Sequence, residues 1–356
     1  MNYEGLLHFL RSERYILAGL SCAVLLLTCV ALAFITIWRR FPAGGSLIPL
    51  TQVATGPTRP SPTLATPTHL PEMPTLPVPT VFPETATTTP ALPGMIVYVC
   101  YLDGFDEICQ MNTDGGGQVR LTASPSTDFY PSPSPAGAAI TFSSRRDGRF
   151  EIYILDLNNG LQRRLTDQIG SAFAPEISPD GQLIAFTNAR DGNQSIWIMN
   201  VDGTDPKPLT DDRGEDIDPT WSPDGRSIAF ASNRSGQGTQ LHVIDLASRE
   251  IRAVTNGVRG IGGRSDWSPD GTTLAFYAGP PGAREIFFVN TDGSNLRQIT
   301  TGGDNLAPSF SPDGNWFVFT SVRTGNNEIF RMRVDGQEVI QLTNNDHADW
   351  QPRWGP

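Results

Sequence analysis

From residue 95 onward the chain alternates apolar and polar positions in short runs of period two. Five runs are equivalent: Ile140/Phe142, Ile184/Phe186, Ile228/Phe230, Leu274/Phe276 and Phe317/Phe319. Such alternation of β-branched and aromatic residues predicts a half-buried strand. Before each run comes a stretch ending in an apolar residue, as in Pro219-Thr220-Trp221, and then one tetrapeptide. It reads Ser178-Pro179-Asp180-Gly181, Ser222-Pro223-Asp224-Gly225, Ser268-Pro269-Asp270-Gly271 and Ser311-Pro312-Asp313-Gly314, with a degraded copy at Ser134-Pro135-Ala136-Gly137. Proline presets the first corner of a turn, Asp suits the second, and Gly tolerates the left-handed backbone that follows. Past each run, a polar turn (Arg146-Asp147-Gly148, Arg190-Asp191-Gly192) leads to a third strand such as Glu151-Ile152-Tyr153-Ile154. A second turn, such as Asp202-Gly203, leads to a fourth strand. That strand ends in Leu-Thr or a close variant: Leu121-Thr122, Leu165-Thr166, Leu209-Thr210, Val254-Thr255, Ile299-Thr300, Leu342-Thr343.

Successive turn copies lie 44, 44, 46 and 43 residues apart. Four short antiparallel strands per unit of that length is the arithmetic of a propeller blade. Ile96-Val97-Tyr98-Val99 adds a sixth second strand, so the expected fold is an all-β, six-bladed propeller over residues 95–356. The first blade is entered at its second strand. Its missing first strand is expected from Asp349-Trp350-Gln351-Pro352-Arg353-Trp354, which matches Asp216-Ile217-Asp218-Pro219-Thr220-Trp221 position by position. Closure of this kind removes exposed sheet edges.

The pattern Pro-x-Trp-Ser-Pro-Asp-Gly, then Ile-Ala-Phe-x-Ser-x-Arg, Ile-Tyr and Leu-Thr resembles the WD40-like repeats of TolB-type six-bladed propellers, over nearly three quarters of the chain. That resemblance implies the propeller fold and a periplasmic setting. The TolB family carries a small α/β domain before its propeller. Here that place holds something different, so the Tol–Pal partnership is not carried over.

Residues 15–38 form an uncharged apolar run flanked by Arg11 and Arg14 on one side and Arg39 and Arg40 on the other, with Tyr15 and Trp38 at interfacial positions. The run is long enough to span a bilayer and longer than a signal-peptide core, so it reads as a signal anchor, one transmembrane helix. Residues 1–14 are then a short cytoplasmic N-terminus. Residues 39–94 read as a disordered stalk, since 41–94 hold 13 Pro and 12 Thr with only Arg59, Glu72 and Glu84 charged. The expected topology is single-pass, with the N-terminus cytoplasmic and the propeller outside the cytoplasm. A linker between cytosolic domains is the alternative for the Pro/Thr run.

Charge narrows the partners. The propeller carries 21 basic and 33 acidic residues, a net of −12. This disfavours nucleic acid, which needs a basic patch. Cys100 and Cys109 flank the first hairpin turn and are expected to be directly opposite neighbours, placed for a disulfide in an oxidising compartment. Two separate thiols is the other reading. Catalytic signatures are scarce. His242 takes a packing position on a third strand, and His347 sits between Asp346 and Asp349 in what reads as a solvated loop rather than a metal site. There is no Gly-x-Ser-x-Gly elbow. No catalytic residue, metal site or cofactor is assigned.

The second-to-third turns and the blade-to-blade connections should share one face, opposite the Ser-Pro-Asp-Gly turns. The turns repeat Arg146, Arg190, Arg234 and Arg323, with Leu102 and Pro280 in the other two blades. The connections repeat Asp128, Asp216 and Asp349, with Asn305 in a fourth. A residue recurring in nearly every blade serves the repeat, so mutual pairing of these Arg and Asp is the bland expectation. They are also the binding-face candidates, together with the apolar Phe129, Phe173 and Trp350 and with Arg259 and Arg264 on a longer Gly-rich connection. The acidic connection 210–216 is a further loop with cation-binding character. The reading that results is a non-enzymatic, membrane-tethered propeller binding a protein or peptide in the cell envelope. A carbohydrate-active or other hydrolase or lyase using acidic residues at the channel mouth is one alternative. An architectural subunit of an envelope complex is another. The small-molecule ligand, if any, is unspecified by the sequence.

Overall fold

A computed structural model describes residues 92, 94–190, 192–211 and 213–356. The expected N-terminus, transmembrane helix and nearly all of the stalk therefore lie outside the described residues. Within them, 24 strands form six four-stranded antiparallel sheets, each a blade. Blades two to six each use four consecutive strands. The first blade has the order β24 (Asp349–Gly355), β1 (Met95–Leu102), β2 (Phe105–Asn112), β3 (Val119–Arg120). The C-terminal strand thus closes the ring, pairing Met95 with Gly355 and Ile96 with Trp354.

The second strands depart from the half-buried expectation. In β5 (Ala139–Ser144), β13 (Ser227–Ser232) and β21 (Trp316–Ser321) nearly every residue is buried, on both faces. Blades stack face to face, so a strand near the axis has a neighbouring blade on each side. Six apolar clusters fill the six blade interfaces. The closing one joins Trp316, Val318 and Ile329 to Ile96, Tyr98 and Trp354.

Local chemistry accounts for the repeat. In each intact Ser-Pro-Asp-Gly turn the Ser hydroxyl donates to the Asp carboxylate, 2.6 Å for Ser178–Asp180, and accepts from the amide five residues on, 2.9 Å for Leu183. The turn glycine is left-handed, with φ of 73° at Gly181 and 70° at Gly225. The Leu-Thr ending has an equally definite task. Its Thr hydroxyl accepts from a third-strand amide in all six blades, at 2.8–3.0 Å: Thr122 from Ile108, Thr166 from Ile152, Thr210 from Ile196, Thr255 from Leu241, Thr300 from Ile286 and Thr343 from Ile329. In four blades the same hydroxyl donates to a glutamate, Glu107, Glu151, Glu285 or Glu328. Ser195 and Gln240 replace that glutamate in the third and fourth blades.

Cys100 and Cys109 form a disulfide with a Cα separation of 5.9 Å. They are not directly opposite. The first hairpin turns on two residues, Asp103-Gly104, so Cys100 faces Glu107 and Cys109 faces Tyr98, which makes the cysteines diagonal neighbours.

Candidate functional site

On the face of the second-to-third turns, the repeated Arg and Asp mostly pair with each other. Arg146 donates to Asp128 at 2.9 Å, to Ser144 Oγ and Gln162 Oε1 at 2.7 Å, and stacks its guanidinium over Tyr153. Arg234 pairs with Asp216, and Arg323 donates to Asn305 at 3.0 Å. Asp128, Asp216 and Asp349 are fully buried. These side chains brace the turns and are not presented to a partner. Arg190 ends its strand in an exposed position, with no Asp at the matching place in its blade, where Ala172 stands. Arg259 is also exposed. In the acidic connection, Asp211 pairs with Arg213 at 2.9 Å and approaches Arg234. A hollow of about 450 Å³ beside it, lined by Asp211, Arg213, Arg234 and His242, therefore has much of its charge already compensated.

His242 is buried, stacked on Phe230, and its imidazole is held below the usual range by burial. His347 lies 3.5 Å from Asp346 and 3.7 Å from Asp349.

The polar groups that break the symmetry line the central channel. Each innermost strand, or the connection leading into it, holds one residue in the left-handed region just ahead of Pro (Ser265 in the fifth blade). These are Tyr130, Ala174, Asp218, Arg264, Ala307 and Gln351, with φ between 48° and 55°. Where the register is defined, a β-bulge falls there, as between Phe129 and Ser132 and between Ile217 and Thr220. A non-glycine residue in this conformation costs about 1 kcal/mol or more. Its effect is to aim side chains at the axis, because the bulge breaks the strand's in–out alternation. All six line cavities of the channel. Two residues further on, Ser132, Glu176, Asp266, Ser309 and Arg353 line its other end.

That end is bound up internally. Arg353 donates to Asp266 at 2.7 Å, to Glu176 at 3.3 Å and to the Ser265 carbonyl at 3.2 Å. Burial raises both carboxyls above their ordinary range and Arg353 opposes the shift. A funnel of about 290 Å³ opens from here on the Ser-Pro-Asp-Gly face, rimmed by Pro135, Pro269, Pro312 and Trp267. This face therefore carries a channel opening of its own.

On the turn-bearing face the channel holds a cavity of about 130 Å³ walled by Tyr130, Asp218, Arg264, Tyr277, Trp350 and Gln351. Arg264 donates to the Pro131 carbonyl at 2.9 Å and lies over the Tyr130 ring. Burial, with help from the Arg353 charge, brings it down to about 9. The Asp218 carboxylate rests against the Cα of Gly263, where a Cβ would come within 1.4 Å of it. Its own charge heads the causes that raise the Tyr130 phenol, while burial followed by Asp218 pushes Tyr277 up to about 12.

Beside this cavity runs a half-buried aromatic cluster. Phe129 meets Trp350 edge-on at 5.0 Å and Phe150 at 5.9 Å, and Phe173 lies 6.0 Å from Tyr130 and 6.5 Å from Phe150. Of the candidates read from sequence, the structure brings Phe129, Phe173, Trp350 and Arg264 together here. Sequence reading missed Asp218, Tyr130, Gln351, Tyr277 and Phe150. Tyr130, Asp218 and Gln351 share one repeat position, just before Pro in the aligned segments, and its changing identity was the available signal.

The sequence matches the family described as TolB beta propeller domain over residues 94–259 and 237–356. No curated protein matches it. Among solved structures it is similar to TolB from Acinetobacter baumannii, with a TM-score of 0.67 and 25% identity, over 74% of this chain and 67% of that one. It also resembles a putative TolB from Agrobacterium tumefaciens, with a TM-score of 0.59 and 21% identity, over 74% and 98%. Kuenenia stuttgartiensis hydrazine synthase shares the fold, with a TM-score of 0.62 at 15% identity, over 74% of this chain and 46% of that one. Six closed blades, the repeat chemistry and a family match spanning 94–356 agree: this chain belongs to the TolB β-propeller family.

Proposed function

We propose that this protein is a membrane-tethered propeller that binds a protein or peptide partner in the cell envelope through the channel mouth on its turn-bearing face. The observation that carries the reading is the half-buried aromatic cluster Phe129, Tyr130, Phe150, Phe173 and Trp350 beside a polar cavity. Aromatic anchors around a small polar recess are the usual composition of an interface centre. Membership in the TolB propeller family and the apolar segment 15–38 support the setting. For the enzymatic alternative, acid–base work needs a carboxyl free to exchange its proton. Glu176 and Asp266 are instead shared by Arg353, which among the described residues leaves Asp218 as the one of these three channel carboxyls outside an ion pair.

The test is site-specific photocrosslinking in intact cells, with the crosslinker at position 150 or 173 on the mouth and at position 224 on the opposite face. Defined partner adducts are expected at 150 and 173 and not at 224. Adducts spread equally over both faces, or confined to 224, reject the reading. Protease added outside the cells should cut the propeller; protection of the propeller while a surface control is cleaved rejects the topology.

A further inference from the structure

The channel lining holds three carboxylates, Glu176, Asp218 and Asp266, against three guanidinium groups, Arg264, Arg284 and Arg353, of which Arg284 is taken up by Asp304 at 2.7 Å. Arg353 takes Glu176 and Asp266. Among the described residues Asp218 has no ion pair, although it is 93% buried, being 7% exposed. Its Oδ1 has no hydrogen-bond partner, and the residue lines the mouth cavity. The Arg264 backbone amide is the donor its carboxylate does have. A buried carboxylate oxygen with no donor is costly in a folded protein unless something else supplies one. The walls beside it are the rings of Tyr130, Tyr277 and Trp350. Aromatic faces with a carboxylate at the end suit a cation. The net −12 of the propeller attracts the same sign from a distance.

We propose that the mouth cavity is a recognition pocket for one cationic side chain, lysine or arginine, of the bound partner, with Asp218 Oδ1 accepting its hydrogen bond between the tyrosine rings. This rests on the partner-binding reading above and adds the chemistry of the residue that enters the channel. Arg264 forms no ion pair with Asp218, its guanidinium being turned to the Pro131 carbonyl and the Tyr130 face, although its charge still favours the Asp218 carboxylate.

The test titrates the full chain in detergent with four capped amino acids, followed by ligand-observed NMR. The probes are the N-acetyl methylamides of lysine, arginine, norleucine and glutamate. The lysine or arginine probe is expected to bind at least tenfold more tightly than norleucine, and Asp218→Asn is expected to erase that preference. Equal binding of norleucine, tighter binding of the glutamate probe, or an undiminished preference in Asp218→Asn overturns the proposal. If the variant does not fold, the wild-type probe series decides alone. The probes contain no partner, so the two readings fail separately. Cationic preference without crosslinks at 150 or 173 would sink only the partner reading. Crosslinks there without cationic preference would sink only this pocket.

Discussion

Asp349 occupies the place that Asp128 and Asp216 hold in their blades, but Leu102 stands where Arg146 and Arg234 stand. The carboxyl is fully buried, accepts from Asn345 at 2.8 Å, and has one oxygen without a hydrogen bond, with His347 Nε2 lying 3.7 Å from it. Burial pushes it up to about 7. Asp128, which does have its arginine, is raised by burial to about 6. Below about pH 4 the Asp349 carboxyl is protonated in folded and unfolded chains alike and has no effect on stability. As pH rises from there to about 7, the unfolded chain releases a proton that the folded one retains, so stability drains away. At about 1.4 kcal/mol per pH unit, the loss reaches at most about 4 kcal/mol. Asp349→Asn should gain on the wild type across that window and then level off, measured by urea melts at several pH values. A gain that does not change with pH would show that the carboxyl is ionised throughout. At Gly263 a single methyl should matter as much. Gly263→Ala drives a Cβ into the Asp218 carboxylate and is expected to lower the melting temperature by several degrees through the clash itself, since Gly263 is not left-handed; Gly148→Ala, in an open left-handed turn, shows the cost of strain without a clash.

Within each blade the Thr hydroxyl ties the fourth strand to the third. Thr343→Val would strand the Ile329 amide and one oxygen of buried Glu328, at a cost of about 2–4 kcal/mol by denaturant melting. Thr210→Val should cost less, because Ser195 stands where the glutamate would be. The Cys100–Cys109 bridge closes a short loop, so its loss should cost about 2–3 kcal/mol. Native protein should titrate with no free thiol at these two positions. The strands, their order and the closing segment were all legible, because turn glycines and alternation write them directly into the residues. Two features were not. The cysteine register slipped because the hairpin is centred on Asp103-Gly104, one residue before the midpoint of the two cysteines, an offset that the blade with a longer turn shares in pairing Ser144 with Glu151. Tyr130, Asp218 and Gln351 of the channel escaped because their left-handed backbone comes with no glycine to announce it. The aromatic half of the site was legible for the opposite reason: Phe129, Phe173 and Trp350 follow a repeated position and need no special backbone.

In the whole ring, one strand determines whether the interfaces are complete. Removing residues 349–356 takes Trp354 from the interface between the sixth and first blades and exposes the edge of β1. The truncated chain is expected to lose cooperative melting by circular dichroism. A normal transition would mean that five blades and an open edge suffice. The same strand supplies Trp350 and Gln351 to the mouth cavity and Arg353 to the far end of the channel. On a ribosome, this strand emerges after every other part of the propeller. Until it arrives, Glu176 and Asp266 have no Arg353 between them and the aromatic cluster lacks Trp350. A nascent chain can therefore carry five finished blades and still lack a complete mouth cavity. On the proposed partner-binding reading, competence to bind would be acquired in the same step as a sealed ring, which would keep half-made copies from engaging a partner.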